Sequence, residues 1–279
     1  MTAAAGLAAA MATLCLSPPR PGPPVATSHA TMGSALAAVL AGGTPAVLGV
    51  GELHQTIDTA AIPSSLRRFT REILPLLAPR ASDLVAETWV TDGACGRAEA
   101  ATVAGVEKTT ERPAATESEI VTVLRRAKES GVRPHVLSVA CADYRLLTAA
   151  SPGSGGSVDF ARMLALIERL LEAKVRQVLA ARPAGDGGRM VVVYGGALHN
   201  DLYPDPVLAR FSYGVAAFRA TGGRYRELDL YVPEYLERNS AMQKEPWVPI
   251  WRRAARPATI TVIRRSPASF ILVFPARAP

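Results

Sequence analysis

The chain has 279 residues, 49% of them hydrophobic, with 31 Lys and Arg against 24 Asp and Glu and a formal charge of +7. This length and hydrophobic share fit one large α/β domain or two small ones with an ample core, and exclude wholesale disorder. Its basic residues lie singly or in pairs, such as Arg67-Arg68, Arg125-Arg126, Arg252-Arg253 and Arg264-Arg265. Without a longer basic tract or interleaved aromatics, no nucleic-acid surface is expected.

Ala3 to Leu16 is an uncharged, Ala-rich run followed by the Pro-rich stretch Ser17 to Pro24. It is too short to span a bilayer and about the length of a signal-peptide core, so no transmembrane segment is expected. Residues 1–28 read as a signal peptide or a disordered Pro-rich leader, and 29–279 as a single α/β domain. No Lys or Arg precedes the run, Val25-Ala26-Thr27 is an imperfect cleavage pattern, and Leu14 before Cys15 suits a lipid anchor poorly. A processed leader places the protein in the periplasm or outside the cell; an unprocessed one leaves it cytoplasmic.

Ser34 to Ala41 reads as a helix stopped by Gly42-Gly43, and Ala46 to Val50 as a short apolar strand. Ser64 to Leu77 carries Leu66, Phe69, Ile73, Leu76 and Leu77 at helical spacing. Leu84 to Ala86 is a second strand, while Thr91 to Glu117 shows no periodicity, as a lid, insertion or mobile loop would. Ser118 to Ser130 reads as a helix with Ser118 as cap and Gly131 as stop. Val136 to Ala140 is a third strand, Val158 to Ala181 a long helix and Met190 to Tyr194 the clearest strand. Gly153 to Ser157 lacks the Lys of a P-loop, which removes nucleotide binding. Continuous apolar strands alternating with helices imply a mostly parallel sheet with helices on both faces. Glu227 to Val232 alternates polar and apolar residues, and Ala258 to Ile263 pairs naturally with Ser269 to Phe274. This tail reads as an antiparallel hairpin extension of the sheet. Of the three cysteines, Cys95 and Cys141 are compatible with one disulfide or two thiols, a buried inert thiol suiting the apolar run around Cys141.

Two segments repeat one pattern: Gly51-Glu-Leu-His54 and Gly196-Ala-Leu-His199 each follow an apolar strand. Glycine permits a sharp exit from the strand, and the imidazole is then presented beyond the carboxyl edge of the sheet, where open α/β folds bind ligands. Glu52, Glu87 and Asp143 leave successive strands at equivalent places. Imidazole and carboxylate together suit a divalent metal of unknown identity, with water as a further ligand. His29 and His135 read as structural or solvated. Trp247 and Trp251 read as packing over the sheet, with a pocket wall or porphyrin contact as the other possibility.

On these motifs, from Ala46 to Asn200, the chain resembles the superfamily of erythromycin esterases, ChaN-like proteins and Tiki/TraB proteins. The paired Gly-x-x-His elements are similar to those of the Tiki metalloproteases, while Gly-Glu-x-His and the modest length look closer to ChaN-like proteins. The esterases are longer, with a large helical insertion not evident here. The resemblance implies an α/β fold with the histidines and acids in one cleft, and esterase, peptidase or haem-binding activity.

The leading expectation is a metal-assisted hydrolase of ester or amide bonds in a small-molecule or peptide substrate. His54 and His199 would be metal ligands or proton carriers, Glu87 a ligand or orienting carboxylate, and Glu52 the general base. Asp143 would support an imidazole, and Tyr194 and Asn200 would orient substrate. The alternatives are a non-catalytic haem-binding protein, its haem not covalently attached because Cys-x-x-Cys-His is missing, and a degenerate member without a ligand.

Overall fold

Strands form where apolar and β-branched residues run between Gly and Pro breaks, and helices where apolar residues recur every three or four positions. The computed structural model describes residues 16–149, 158–183 and 188–276. The readings placed on residues 3–15, including Cys15, and on Gly153 to Ser157 lie outside the described residues.

In chain order the principal elements are β1 (Val25–His29), α1 (Met32–Val39), β2 (Val47–Glu52), α2 (Ser65–Arg68), a π turn (Phe69–Ile73) and α3 (Leu74–Leu77). Then come β3 (Ala81–Asp92), α4 (Arg97–Thr110), α5 (Ala115–Glu129), β4 (Arg133–Ala140), α6 (Cys141–Thr148) and α7 (Phe160–Ala180). The chain continues with β5 (Met190–Gly196), α8 (Ala197–Asn200), α9 (Gly214–Ala220) and β6 (Tyr225–Tyr231). It ends with α10 (Pro233–Arg238), α11 (Val248–Ala254), β7 (Ile260–Ser266) and β8 (Ser269–Val273). Among the described residues no helix is long and apolar enough to cross a membrane.

Eight strands form one sheet in the order β1-β7-β8-β6-β2-β5-β3-β4. The neighbours from β8 through β6, β2, β5 and β3 to β4 are parallel, and only the β1–β7 and β7–β8 pairs are antiparallel. The α/β class, the mostly parallel sheet and the antiparallel C-terminal hairpin are therefore as the sequence indicates. Within the tail, β6 behaves differently: it lies parallel between β2 and β8, near the middle of the sheet. The sheet also takes up Val25–His29, so the chain enters the fold ahead of residue 29, and Val25-Ala26-Thr27 is edge strand paired with Arg264, Ile263 and Val262.

Alternation along the central strands separates two cores. Leu48, Val50, Val192, Tyr194 and Leu84 pack with Leu36, Phe69, Ile73 and Val123 of α1, the π turn and α5. Val47, Val85, Val191 and Val193 pack with Tyr144, Met163, Leu171 and Phe218 of α6, α7 and α9. Both faces of the central strands are thus covered, which explains why their residues read as unbroken apolar runs. Helix α5 starts at Ala115, with Ala114 as its N-cap after Pro113, so Ser118 is an interior residue rather than its cap.

Candidate active site

Register brings the motifs together. Glu52 at the end of β2 pairs with Gly196 at the end of β5, and Ala86 of β3 pairs with Tyr194, setting Glu87 beside Gly195. Strand β3 runs on beyond the expected Leu84–Ala86. Val85 faces His135 and Trp89 faces Leu137, leaving Ala86, Glu87 and Thr88 opposite Val136 alone. Such a bulge re-aims a side chain, and here it turns Glu87 into the site.

His54 Nδ1 lies 2.8 Å from Glu52 Oε1, and Arg112 donates to His54 Nε2 at 2.7 Å. Arginine has no acceptor, so Nε2 is unprotonated and the ring proton is on Nδ1, donated to Glu52. The Tyr194 hydroxyl donates to the other Glu52 oxygen at 2.5 Å. Burial, then the neighbouring Glu52 charge, push this phenol well above its usual range, so it stays a donor. Glu87 accepts from the Gly196 amide at 2.6 Å, and its other oxygen is 4.0 Å from His199 Nε2. His199 is buried, its Nδ1 bonded to the Phe211 carbonyl at 2.7 Å, which turns Nε2 toward Glu87. Burial alone would raise the Glu87 carboxyl, but His199, His54, Arg112 and the Gly196 amide outweigh it and hold the group ionised below its ordinary value.

Glu52, His54, Glu87, Arg112, Gly196 and His199 line a cleft of about 790 Å³. Asp201, Asp229, Glu245 and Arg265 line it as well, with Tyr231 and Trp247. Arg265 pairs with buried Glu227, with Asp201 at 3.3 Å and with Asp229 at 3.8 Å. Burial and the Asp229 charge raise Glu227 well above the carboxylate range, and burial raises Asp229 to about 6 despite Arg265.

Of the residues expected at the site, Glu52, His54, Glu87 and His199 line the cleft together. Tyr194 and Asn200 lie behind it: Tyr194 bonds Glu52, and buried Asn200 donates to Gly49 O and Asp229 Oδ1, so neither is positioned to orient substrate. Asp143 is a correction. It accepts from the Ala140 amide at the start of α6 and from Arg169 at 2.8 Å, and supports no imidazole, because the chain turns into α6 immediately after β4. Cys141 is likewise not a free thiol but is bonded to Cys95. His135 pairs with buried Asp83, while His29 makes an exposed contact with Thr27 on its own strand. Trp247 both packs against Tyr231, with ring centroids 4.9 Å apart and tilted by 41°, and walls the cleft.

Arg112 is the site residue that sequence reasoning missed. It lies in the aperiodic stretch between β3 and α5, and the Glu111 carbonyl accepting from Ile57 N at 2.9 Å ties its loop to the exit from β2. Its Nε is buried and has no hydrogen-bond partner among the described residues.

The donor set does not fit a metal held by His54, Glu87 and His199. Among the described residues no three His, Cys, Asp or Glu side chains are placed to hold one ion, and Arg112 already bonds the nitrogen that His54 would offer. A guanidinium supplies the positive charge in this cluster. No protein-family model, curated protein or solved structure matches the chain.

Proposed function

We propose that the chain hydrolyses ester or amide bonds, with Glu52 and His54 as the pair that activates water. The observation carrying this reading is the Glu52–His54 hydrogen bond, which places the imidazole proton on Nδ1 and leaves Nε2 as a base toward the cleft. A water takes the place of Arg112 at Nε2, loses a proton to it and attacks the substrate carbonyl. The new C–O bond makes a tetrahedral oxyanion, which the released Arg112 guanidinium receives through its free Nε–H and its terminal amino group. The imidazolium, steadied by Glu52, then passes the proton to the leaving alcohol or amine as the scissile bond breaks. Tyr194 keeps Glu52 in place, and ionised Glu87 balances the positive charge around it.

A generic ester such as p-nitrophenyl butanoate tests this. Glu52→Gln and His54→Ala are expected to lower kcat/KM by about 10²–10⁴, and Arg112→Met by about 10²–10³, with far-ultraviolet circular dichroism unchanged. A chelator is expected to leave turnover intact. Activity lost to chelation and restored by zinc or manganese would install the metal-assisted version instead. The apolar walls of the cleft also suit haem, so a Soret band on adding haemin, lost in His54→Ala, would replace the hydrolase reading.

A further inference from the structure

Part of the cleft lining is hydrocarbon. Trp89 from the exposed half of β3, Val106 from α4, and Phe160, Met163, Leu164 and Ile167 from the first two turns of α7 form this flank together. Among the described residues no charged side chain of α4 or α7 reaches this flank. Phe160 stays 38% exposed there, so its ring is accessible to a ligand in the cleft. The flank adjoins His54, Arg112 and Glu87 in one continuous cavity, so a carbonyl at His54 leaves its substituent against these side chains.

We propose that this flank is an acyl-binding arm, and that the substrate is an ester or amide of a medium-chain, unbranched acyl group. The inference rests on the hydrolase reading and adds the substrate class to it. Val106 of α4 and Leu164 of α7 both line the cleft and are only partly buried, so a larger side chain at either takes space from the arm. Trp89, Val106, Phe160, Met163, Leu164 and Ile167 offer a carboxylate or sugar no charged partner, whereas each methylene buried against them leaves water.

The test measures kcat/KM for p-nitrophenyl acetate, butanoate and octanoate, and separately the fluorescence of cis-parinaric acid displaced by decanoic acid. In the wild type kcat/KM is expected to rise by about fourfold per added methylene until the arm is filled. In Val106→Trp and in Leu164→Trp the octanoate-to-acetate ratio is expected to fall by about tenfold or more, and parinaric acid to bind more weakly. A flat series in the wild type, or an unchanged ratio in both variants, overturns the proposal. If no ester is turned over, parinaric acid binding that weakens in both variants keeps the arm and discards the hydrolase. Absence of that binding discards the arm.

Discussion

Gly195 and Gly196 decide how closely the site's groups approach. A Cβ on Gly195 would collide with Glu87, and one on Gly196 would come within 2.9 Å of His54 Nε2. Bare backbone at the end of β5 is what lets a strand exit, a bulged strand and a loop meet there. The four titratable residues were legible because each leaves an apolar strand at its carboxyl end. Arg112 was not, since nothing in its neighbourhood carries a period and it reaches His54 only by tertiary closure. At the opposite ends of β3 and β4, Asp83 is buried between Arg133, which holds it through two nitrogens at 2.9 and 3.0 Å, and His135 at 2.8 Å. Burial alone would raise its pKa, but the hydrogen bonds from Arg133, Ser82 and His135 prevail and hold it below 3.8. A depressed folded pKa means stability that is complete above the unfolded value and lost as pH falls through the folded one. Asp83→Asn is therefore expected to cost on the order of 2 kcal/mol near neutral pH and progressively less as pH falls below the ordinary carboxylate range, read by urea unfolding at neutral and at acid pH. An equal cost at the two pH values would refute the assignment.

Among the elements, α4 lies in the stretch that the sequence shows as aperiodic. Its residues Arg97–Thr110 mix Ala, Thr, Gly and Val with few large apolar groups, and only Thr102 is buried. It is a helix because it closes over the cleft and is tied down at its start: Cys95, just before it, is bonded to Cys141, the first residue of α6. That bond spans a sequence separation of 46. The loss of loop entropy in the unfolded chain makes it worth about 4 kcal/mol. Cys95→Ser is expected to lower urea stability by about this amount, and reduction of the wild type to do the same. If both leave the unfolding midpoint unchanged, α4 is held by packing alone. The bulge in β3 was equally hidden, because the extra residues show only against β4.

Across the whole molecule, the sheet's antiparallel end is where chain order and spatial order diverge. β1 comes first in the chain but pairs with β7, near the end, through five residues, and Ser28 adds a bond to the Ala254 carbonyl at 2.8 Å. A chain beginning at Ala30 would leave β7 as an open edge. It is expected to melt about 10 °C lower than the full chain and to aggregate on heating. An unchanged Tm would remove β1 from the cooperative fold. The sequence by itself determined the α/β class, the parallel core strands, the C-terminal hairpin and the gathering of Glu52, His54, Glu87 and His199. All of these follow from local periodicity and from glycine at strand ends. Only the tertiary structure decided the place of β6 within the sheet, the turning away of Asp143 and the disulfide. It also decided the entry of Arg112 and the apolar flank of α4 and α7, because each depends on which distant segments pack together, and no local pattern encodes that.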